Sequence, residues 1–302
     1  MNFDEIKAQA QGRWPGIFQA LGIDVGNGKH GPCPVCGGTN RWRFDDKDGQ
    51  GTWFCNQCEP KAGDGIALVM KVLDVDFKTA MKTIAPIVGQ VEPCKSQAEK
   101  PVSPEILREL YKNSKPVRKG DPVYKYLKNR GLHSMPKTLR FTSQCWESDT
   151  KKEQMAMLAT FQLADGEAVT IHRTYIDSEG NKLKIARPKK MMPTLKPMKG
   201  GAVRLYEPGE VLGIAEGIET AIACREAFKF PVWAALSSGL LADWQPPKDA
   251  KKIVICSDND TNYAGQKAAF QLANRLSLAG LSVSVEIPDK AGADFLDEIN
   301  GR

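Results

Sequence analysis

The sequence predicts a multi-domain chain of mixed α+β and α/β class. Three patterns predict it: two close cysteine pairs near the front, alternating strand-like segments in the middle, and short apolar strands interleaved with helices at the end. Its 302 residues allow two or three cores, and an apolar content of 41% suits buried interiors rather than a disordered tail. The longest apolar runs, such as Val211 to Ala215 and Ile253 to Cys256, fall far short of the roughly 20 residues that span a bilayer, so no membrane segment is expected. The opening run MNFDEIKAQAQGRW lacks the basic start and apolar stretch of a secretory signal. That points to a reducing, cytoplasmic setting without disulfides.

The segments divide as follows. Residues 1–89 hold the cysteine pairs and then a helical pattern from Gly65 to Met81. Residues 90–104 (QVEPCKSQAEKPVSP in the run Gln90 to Pro104) have the proline, lysine and polar content of a linker. From Glu105 the chain reads as helix, and from about Met155 to Ile185 as antiparallel strands with turns at Asp165-Gly166 and Ser178 to Asn181. Residues 105–208 then form a basic subdomain and residues 209–302 an α/β domain. In the latter, VLGIA, VWAAL, KIVICS and LSVSVEI alternate with helices near Ile218 to Phe228, Leu240, and Ala264 to Ala279, the pattern of a parallel sheet covered by helices. Charge is segregated within a net +6: residues 101–210 carry 21 Lys and Arg against 12 Asp and Glu, residues 211–302 only 9 against 12. A polyanion on the middle segment and metal ions on the last would account for this.

Cys33, Cys36, Cys55 and Cys58 form two Cys-x-x-Cys pairs separated by 18 residues, the spacing of a zinc ribbon. Four thiolates close a tetrahedral shell and leave no place for a reacting water, so one structural Zn²⁺ is expected and His30 is left as a turn residue. Trp42, Phe44 and Trp53 alternate as in short strands. Arg41, Trp42 and Arg43 are candidates to touch phosphate and stack a base, while Trp42 and Trp53 serve equally well as a miniature core.

In the final segment, acids recur where chemistry sits in parallel sheets, at the carboxyl ends of strands. Glu216 follows VLGIA, Asp258 and Asp260 follow KIVICS in the run SDNDT, and Asp294 and Asp297 follow LSVSVEI. If strand geometry continues, Asp258 and Asp260 project to one side. Converging carboxylates suit Mg²⁺ or Mn²⁺, which takes its remaining ligands from water and substrate phosphates. Acids at helix N-termini also serve as plain caps.

These residues resemble the Toprim domain of primases, topoisomerases and related nucleases, with its E-G-x-x-D/E/T turn at Glu216 to Thr220 and its D-x-D at Asp258 to Asp260. The likeness extends to phage-type and plasmid-type DNA primases through GGAVRL (Gly200 to Leu205), EGIETAIA, PVWAALSSG, the G-x-D-x-x-D at Gly292 to Asp297, the cysteine run, and YLKNRGL at Tyr126 to Leu132. One departure is the insertion of Thr261, Asn262 and Tyr263 before Ala264-Gly265.

The resemblance implies an enzyme that makes short RNA primers on single-stranded DNA from ribonucleoside triphosphates. Glu216, Asp258 and Asp260 would be catalytic, and Asp294 and Asp297 would join them around Mg²⁺ or Mn²⁺. Arg187, Lys189, Lys190, Lys199 and Arg204, within the basic run Lys182 to Arg204, would meet phosphates. No G-x-x-x-x-G-K-S/T loop is present, so a replicative helicase is expected to be a separate partner. The alternatives are a non-catalytic recombination mediator that pairs a zinc module with a Toprim-like domain, and a Toprim nuclease.

Overall fold

The computed structural model describes residues 2–26, 28, 30–92 and 103–301. Most of the expected linker, 93–102, lies outside the described residues. The chain forms two compact units, Met1–Lys100 and Pro101–Arg302.

In the first unit, helices α1 (Phe3–Ala10) and α2 (Trp14–Ala20) precede a four-stranded antiparallel sheet of β1 (Gly31–Cys33), β2 (Gly37–Phe44), β3 (Trp53–Cys55) and β4 (Ala62–Gly63). Helices α3 (Gly65–Leu73) and α4 (Phe77–Val88) follow. Asn2 and Glu5 form a reciprocal capping box at the start of α1, and Asp64 and Asp76 cap α3 and α4 by accepting from Ala67 and Thr79 N–H. The uninterrupted helical pattern from Gly65 to Met81 is therefore two helices. Asp74 breaks it in the left-handed region, at φ 52°.

The helices bury Trp14, Ile17, Phe18, Leu68, Val69, Met81 and Ile84 against Trp42 and Trp53 of the sheet. Each such side chain contributes about 1.5–3 kcal/mol by leaving water. Gly65 is required at its place, because a Cβ there would lie 2.2 Å from the Trp14 ring.

The second unit begins with α5 (Pro104–Lys112), β5 (Lys115–Pro116) and α6 (Pro122–Asn129). The long strands β6 (Arg140–Glu147), β7 (Lys152–Gln162) and β8 (Ala168–Tyr175) follow, then short β9 (Lys189–Met191) and β10 (Ala202–Val203). The final stretch runs β11 (Val211–Ala215), α7 (Ile218–Phe228), β12 (Val232–Ala234), α8 (Ser238–Asp243), β13 (Lys252–Cys256), α9 (Ala264–Leu278), β14 (Ser282–Glu286) and α10 (Phe295–Ile299). One ten-stranded sheet runs in the order β14-β13-β11-β12-β10-β7-β6-β5, with β8 paired to β7 and β9 to β8. Strands β14, β13, β11 and β12 are parallel, and β10 joins them to the antiparallel part.

The parallel strands read as apolar runs because both faces are covered. Ala215, Val254 and Cys256 enter one core with α7, while Leu212, Ile214, Ile253 and Ile255 enter another with Leu272 and Leu276 of α9. Strand β6 lies where the sequence suggested helix. Its register against β7 shifts between Thr142 and Cys145, which breaks the two-residue alternation that marks a strand. Among the described residues no helix is long and apolar enough to cross a membrane.

Candidate functional site

The four ribbon cysteines come together from the β1–β2 turn and the end of β3, with all four sulfurs within 4.8 Å of one another. Cys33 and Cys58 sulfurs are 3.7 Å apart, and Cys36 and Cys55 sulfurs 3.6 Å. A tetrahedron with metal–sulfur bonds of about 2.3 Å has sulfur–sulfur edges of about 3.8 Å, whereas a disulfide bond measures about 2.05 Å. The set is a four-thiolate zinc site. Burial raises the Cys33 and Cys58 thiols, whereas at Cys55 the backbone N–H groups of Gln57 and Cys58 outweigh burial and bring the thiol down to about 7.

The ribbon reorders its predicted contact residues. Trp42 is 1% exposed, stacks on Trp53 with ring centroids 5.3 Å apart, and donates its indole N–H to Val25 C=O at 3.1 Å. It is core and has no free face for a base, which corrects the expectation that it stacks one. Register places Arg43 opposite Phe54, and Phe54 points outward at 37% exposure between buried Trp53 and Cys55. The available aromatic is thus Phe54, legible from the two-residue period of WFC. Arg43 is paired to Asp45, and the Arg41 guanidinium lies over Gly38.

In the second unit, a cavity of about 290 Å³ opens at the carboxyl ends of the parallel strands. Its wall carries the acids Glu216, Asp258 and Asp294 together with Arg130, His172 and Lys189. Glu216 turns off β11 into α7. Gly217 beside it has an extended backbone, φ −91°, so its role is one of space: a Cβ would lie 3.1 Å from Thr220 Oγ1. Burial, and then the charge of Asp260, raise the Glu216 carboxyl above its ordinary range.

Asp258 and Asp260 lie beyond the end of β13, in a loop rather than a continued strand, so strand alternation does not set their directions. Asp258 is half-buried, and its Oδ1 has no hydrogen-bond partner among the described residues. Burial, and then Glu216, Asp294, Asp260 and Asp297, push this carboxyl up to about 7. Asp260 Oδ2 instead accepts from Gly265 N–H at 2.8 Å, bracing the start of α9, and does not line the cavity.

Asp294 caps α10 through Oδ1, which accepts from Asp297 N–H at 2.9 Å, and its Oδ2 accepts from Thr220 Oγ1 at 3.3 Å. Asp297 returns its carboxylate to the cap and stays out of the cavity wall. Here the plain capping role and the lining role coincide in Asp294. Among the described residues, only the cysteine set brings three or more ligand atoms within 4.8 Å, so the acids surround a space rather than a point.

The residue between the two aspartates holds the loop in place. Asn259 donates its side-chain amide to Pro288 C=O at 2.7 Å, its backbone N–H bonds Ala293 C=O at 3.0 Å, and its Oδ1 accepts from Gln266 Nε2 at 2.8 Å. Leu236, whose N–H donates to Glu216 C=O at 2.8 Å, sits on the cavity wall at φ 75°, a strained angle for a branched residue.

The basic residues expected to meet phosphate part company. Lys189 lines the cavity. Lys190 is 12% exposed and committed to Glu147 and Asp149. Arg204 donates to Leu163 and Ala164 C=O and packs over Trp233. Lys199 lies 3.7 Å from Asp243, and Arg187 is exposed.

Among the charged or titratable residues of the cavity, three carry no role in the sequence analysis: Arg130, His172 and Glu219. Arg130 lies inside YLKNRGL and Glu219 inside EGIET, so both were in view as motif letters without a role. His172 sits in the wholly buried run VTIH of β8, with no alternation to single it out. Burial, with Lys189 and Arg173 acting against Glu219, lowers its imidazole to about 4, and its Nδ1 has no partner among the described residues.

Three family models match successive parts of the chain: the zinc-binding domain of primase-helicase at residues 28–66, a domain of unknown function (DUF7146) at 102–205, and the Toprim domain at 211–300. The chain thus carries a zinc-binding domain of the primase-helicase kind at its front and a Toprim domain at its end. Among solved structures, it is similar to a DNA primase domain from Pseudomonas aeruginosa, at 16% identity and TM-score 0.45, covering 66% of this chain and 74% of that one. It is also similar to the primase fragment of the bacteriophage T7 primase-helicase protein, at 17% identity and TM-score 0.39, covering 90% and 95%. The Aquifex aeolicus primase, with zinc-binding and RNA polymerase domains, matches at 16% identity and TM-score 0.39, covering 99% and 81%.

Proposed function

We propose that the chain is a DNA primase, synthesising short RNA primers on single-stranded DNA by metal-dependent nucleotidyl transfer. The observation that carries this reading is the orphaned, buried Asp258 Oδ1, in a cavity lined also by Glu216, Asp294, Arg130 and Lys189. A carboxylate oxygen left without a donor in a cluster of like charge fits a hard divalent cation, Mg²⁺ or Mn²⁺. Glu216, Asp258 and Asp294 would hold it, with Asp260 and Asp297 adding negative charge from behind. Bound there, the cation would act as a Lewis acid on the transferring phosphoryl group.

The chain's own side chains divide the remaining work. Arg130 and Lys189 receive the triphosphate oxygens. His172, neutral at physiological pH, offers hydrogen bonds to an uncharged part of the substrate. Glu216 is placed to accept the proton of an attacking hydroxyl or to complete the metal shell. The ribbon meets the template through Phe54, Arg41 and Arg43, and the primase works with a replicative helicase.

The test is incubation with single-stranded DNA of random sequence, the four ribonucleoside triphosphates and Mg²⁺. New oligoribonucleotides are expected, and Glu216→Gln should abolish them while leaving the fold intact. Degraded template would favour the nuclease, and binding without synthesis the recombination mediator; wild-type synthesis by Glu216→Gln would remove Glu216 from the site.

A further inference from the structure

Three residues after Glu216, in the first turn of α7, lies a second carboxylate, Glu219, whose side chain is 4% exposed. Its Oε1 accepts from the hydroxyl of Tyr126, itself 1% exposed on α6, and its Oε2 accepts from Lys189 Nζ at 2.8 Å. Segments distant in sequence, α6, β9 and α7, therefore meet at one buried group. Burial alone would raise the Glu219 carboxyl, but the Lys189 ammonium and both hydrogen bonds hold it down to about 2. It is a fixed negative charge.

Lys189 is the exposed end of this assembly. Its side chain is 38% exposed, and it lines the same cavity as Arg130, Glu216, Asp258 and Asp294. A lysine has a four-carbon stem and loses about 2 kcal/mol of rotamer freedom when held. Pinned at Nζ by a carboxylate that cannot move, it keeps two of its three N–H donors for a ligand.

We propose that Glu219 is a positioning residue, anchored by Tyr126, that fixes the Lys189 ammonium on the cavity wall to receive the phosphates of a nucleotide. This rests on the nucleotide–metal reading of the cavity. The opposite role is also well defined: a Glu219 that only neutralised Lys189 would weaken anion binding, and its removal would strengthen it.

The experiment uses the full chain as wild type, Glu219→Gln, Lys189→Met and the double variant, each checked for folding by circular dichroism. The first readout, without ligand, is the rate at which an amine-acylating reagent labels Lys189, followed by mass spectrometry. The second is equilibrium binding of ATP with Mg²⁺. Glu219→Gln is expected to label faster at Lys189 and to bind ATP about tenfold more weakly, as the loss of one charge-assisted hydrogen bond implies. The double variant is expected to bind no worse than Lys189→Met, because Glu219 acts through Lys189.

Unchanged labelling, equal or tighter ATP binding by Glu219→Gln, or losses that add in the double variant would each overturn the proposal alone. Wild type that binds no ATP would overturn it together with the reading of the cavity. If Glu219→Gln does not fold, Tyr126→Phe replaces it, since it keeps the ion pair and removes only the anchor. Faster labelling and severalfold weaker binding are expected there, and no change in either overturns the proposal.

Discussion

Asp258→Asn should make the metal-free protein more stable while removing its response to Mg²⁺. The folded carboxyl titrates near 7 against an ordinary value of 3.8. That gap of about 3 pH units, at about 1.4 kcal/mol each, makes ionised Asp258 cost the fold about 4 kcal/mol at neutral pH and above. Water in the open cavity reduces this to roughly 2–4 kcal/mol. The sign follows from proton counting: between about pH 4 and 7 the folded state holds a proton that the unfolded chain has released, so wild-type stability falls across that window and then levels.

An amide in place of the carboxyl leaves the same oxygen unpartnered, so that cost cancels and only the charge is removed. Urea unfolding of the second unit, followed by circular dichroism at pH 5 and pH 8 without added Mg²⁺, should show wild type losing about 2 kcal/mol relative to the variant. At Mg²⁺ one-hundredfold above its Kd, wild type should regain about 2.7 kcal/mol and the variant nothing. Parallel pH profiles, or Mg²⁺ stabilisation that survives in Asp258→Asn, would refute the assignment of Asp258 as the strained ligand.

Three further outcomes can be checked with standard measurements. Chelating zinc, or Cys36→Ser, should unfold the first unit as seen by tryptophan fluorescence, since a four-thiolate site supplies about 10–16 kcal/mol to a small domain. Phe54→Ala should weaken single-stranded DNA binding by about 1–3 kcal/mol at constant zinc content, as read by fluorescence anisotropy, whereas Trp42→Ala should lose the ribbon fold itself. The Glu147 carboxyl, buried and then rescued by Lys190 and the N–H groups of Thr150 and Asp149, is held down to about 2. Its contribution is therefore present above about pH 4.5 and lost as pH falls through 2; Glu147→Gln should cost about 3 kcal/mol in urea unfolding at pH 7, because it leaves Lys190 with one carboxylate, Asp149, and the Ser148 hydroxyl.

Local chemistry explains how much could be read in advance. The cysteine spacing defines its own geometry, so the zinc site is legible from four letters. The parallel strands are legible because burial on both faces demands uninterrupted apolar residues, and Glu216, Asp258 and Asp294 follow from standing at their ends. Asp260 looked equivalent to Asp258, but the loop past Cys256 turns it toward Gly265 instead, and nothing in S-D-N-D-T records that turn. The basic run from Lys182 to Arg204 has the sequence pattern of one surface. The fold instead spends Lys190 on Glu147 and Arg204 on two carbonyls, because their partners arrive from β6 and the turn after β7, which no local pattern reveals. Glu219 and Arg130 were visible as letters, and only the fold showed that Glu219 and Lys189 belong together.

The inserted residues Thr261, Asn262 and Tyr263 acquire a different meaning from the way Asn259 is held. Its bonds to Pro288, Ala293 and Gln266 tie the Asp258 segment to the Asp294 segment and to α9, upstream of the insertion. Tyr263 projects outward at 70% exposure, at φ 59°, as the N-cap residue of α9. The exposed side chain of Tyr263 is therefore the place for a fluorescent reporter near these acids, since replacing it leaves Asn259 and its bonds untouched.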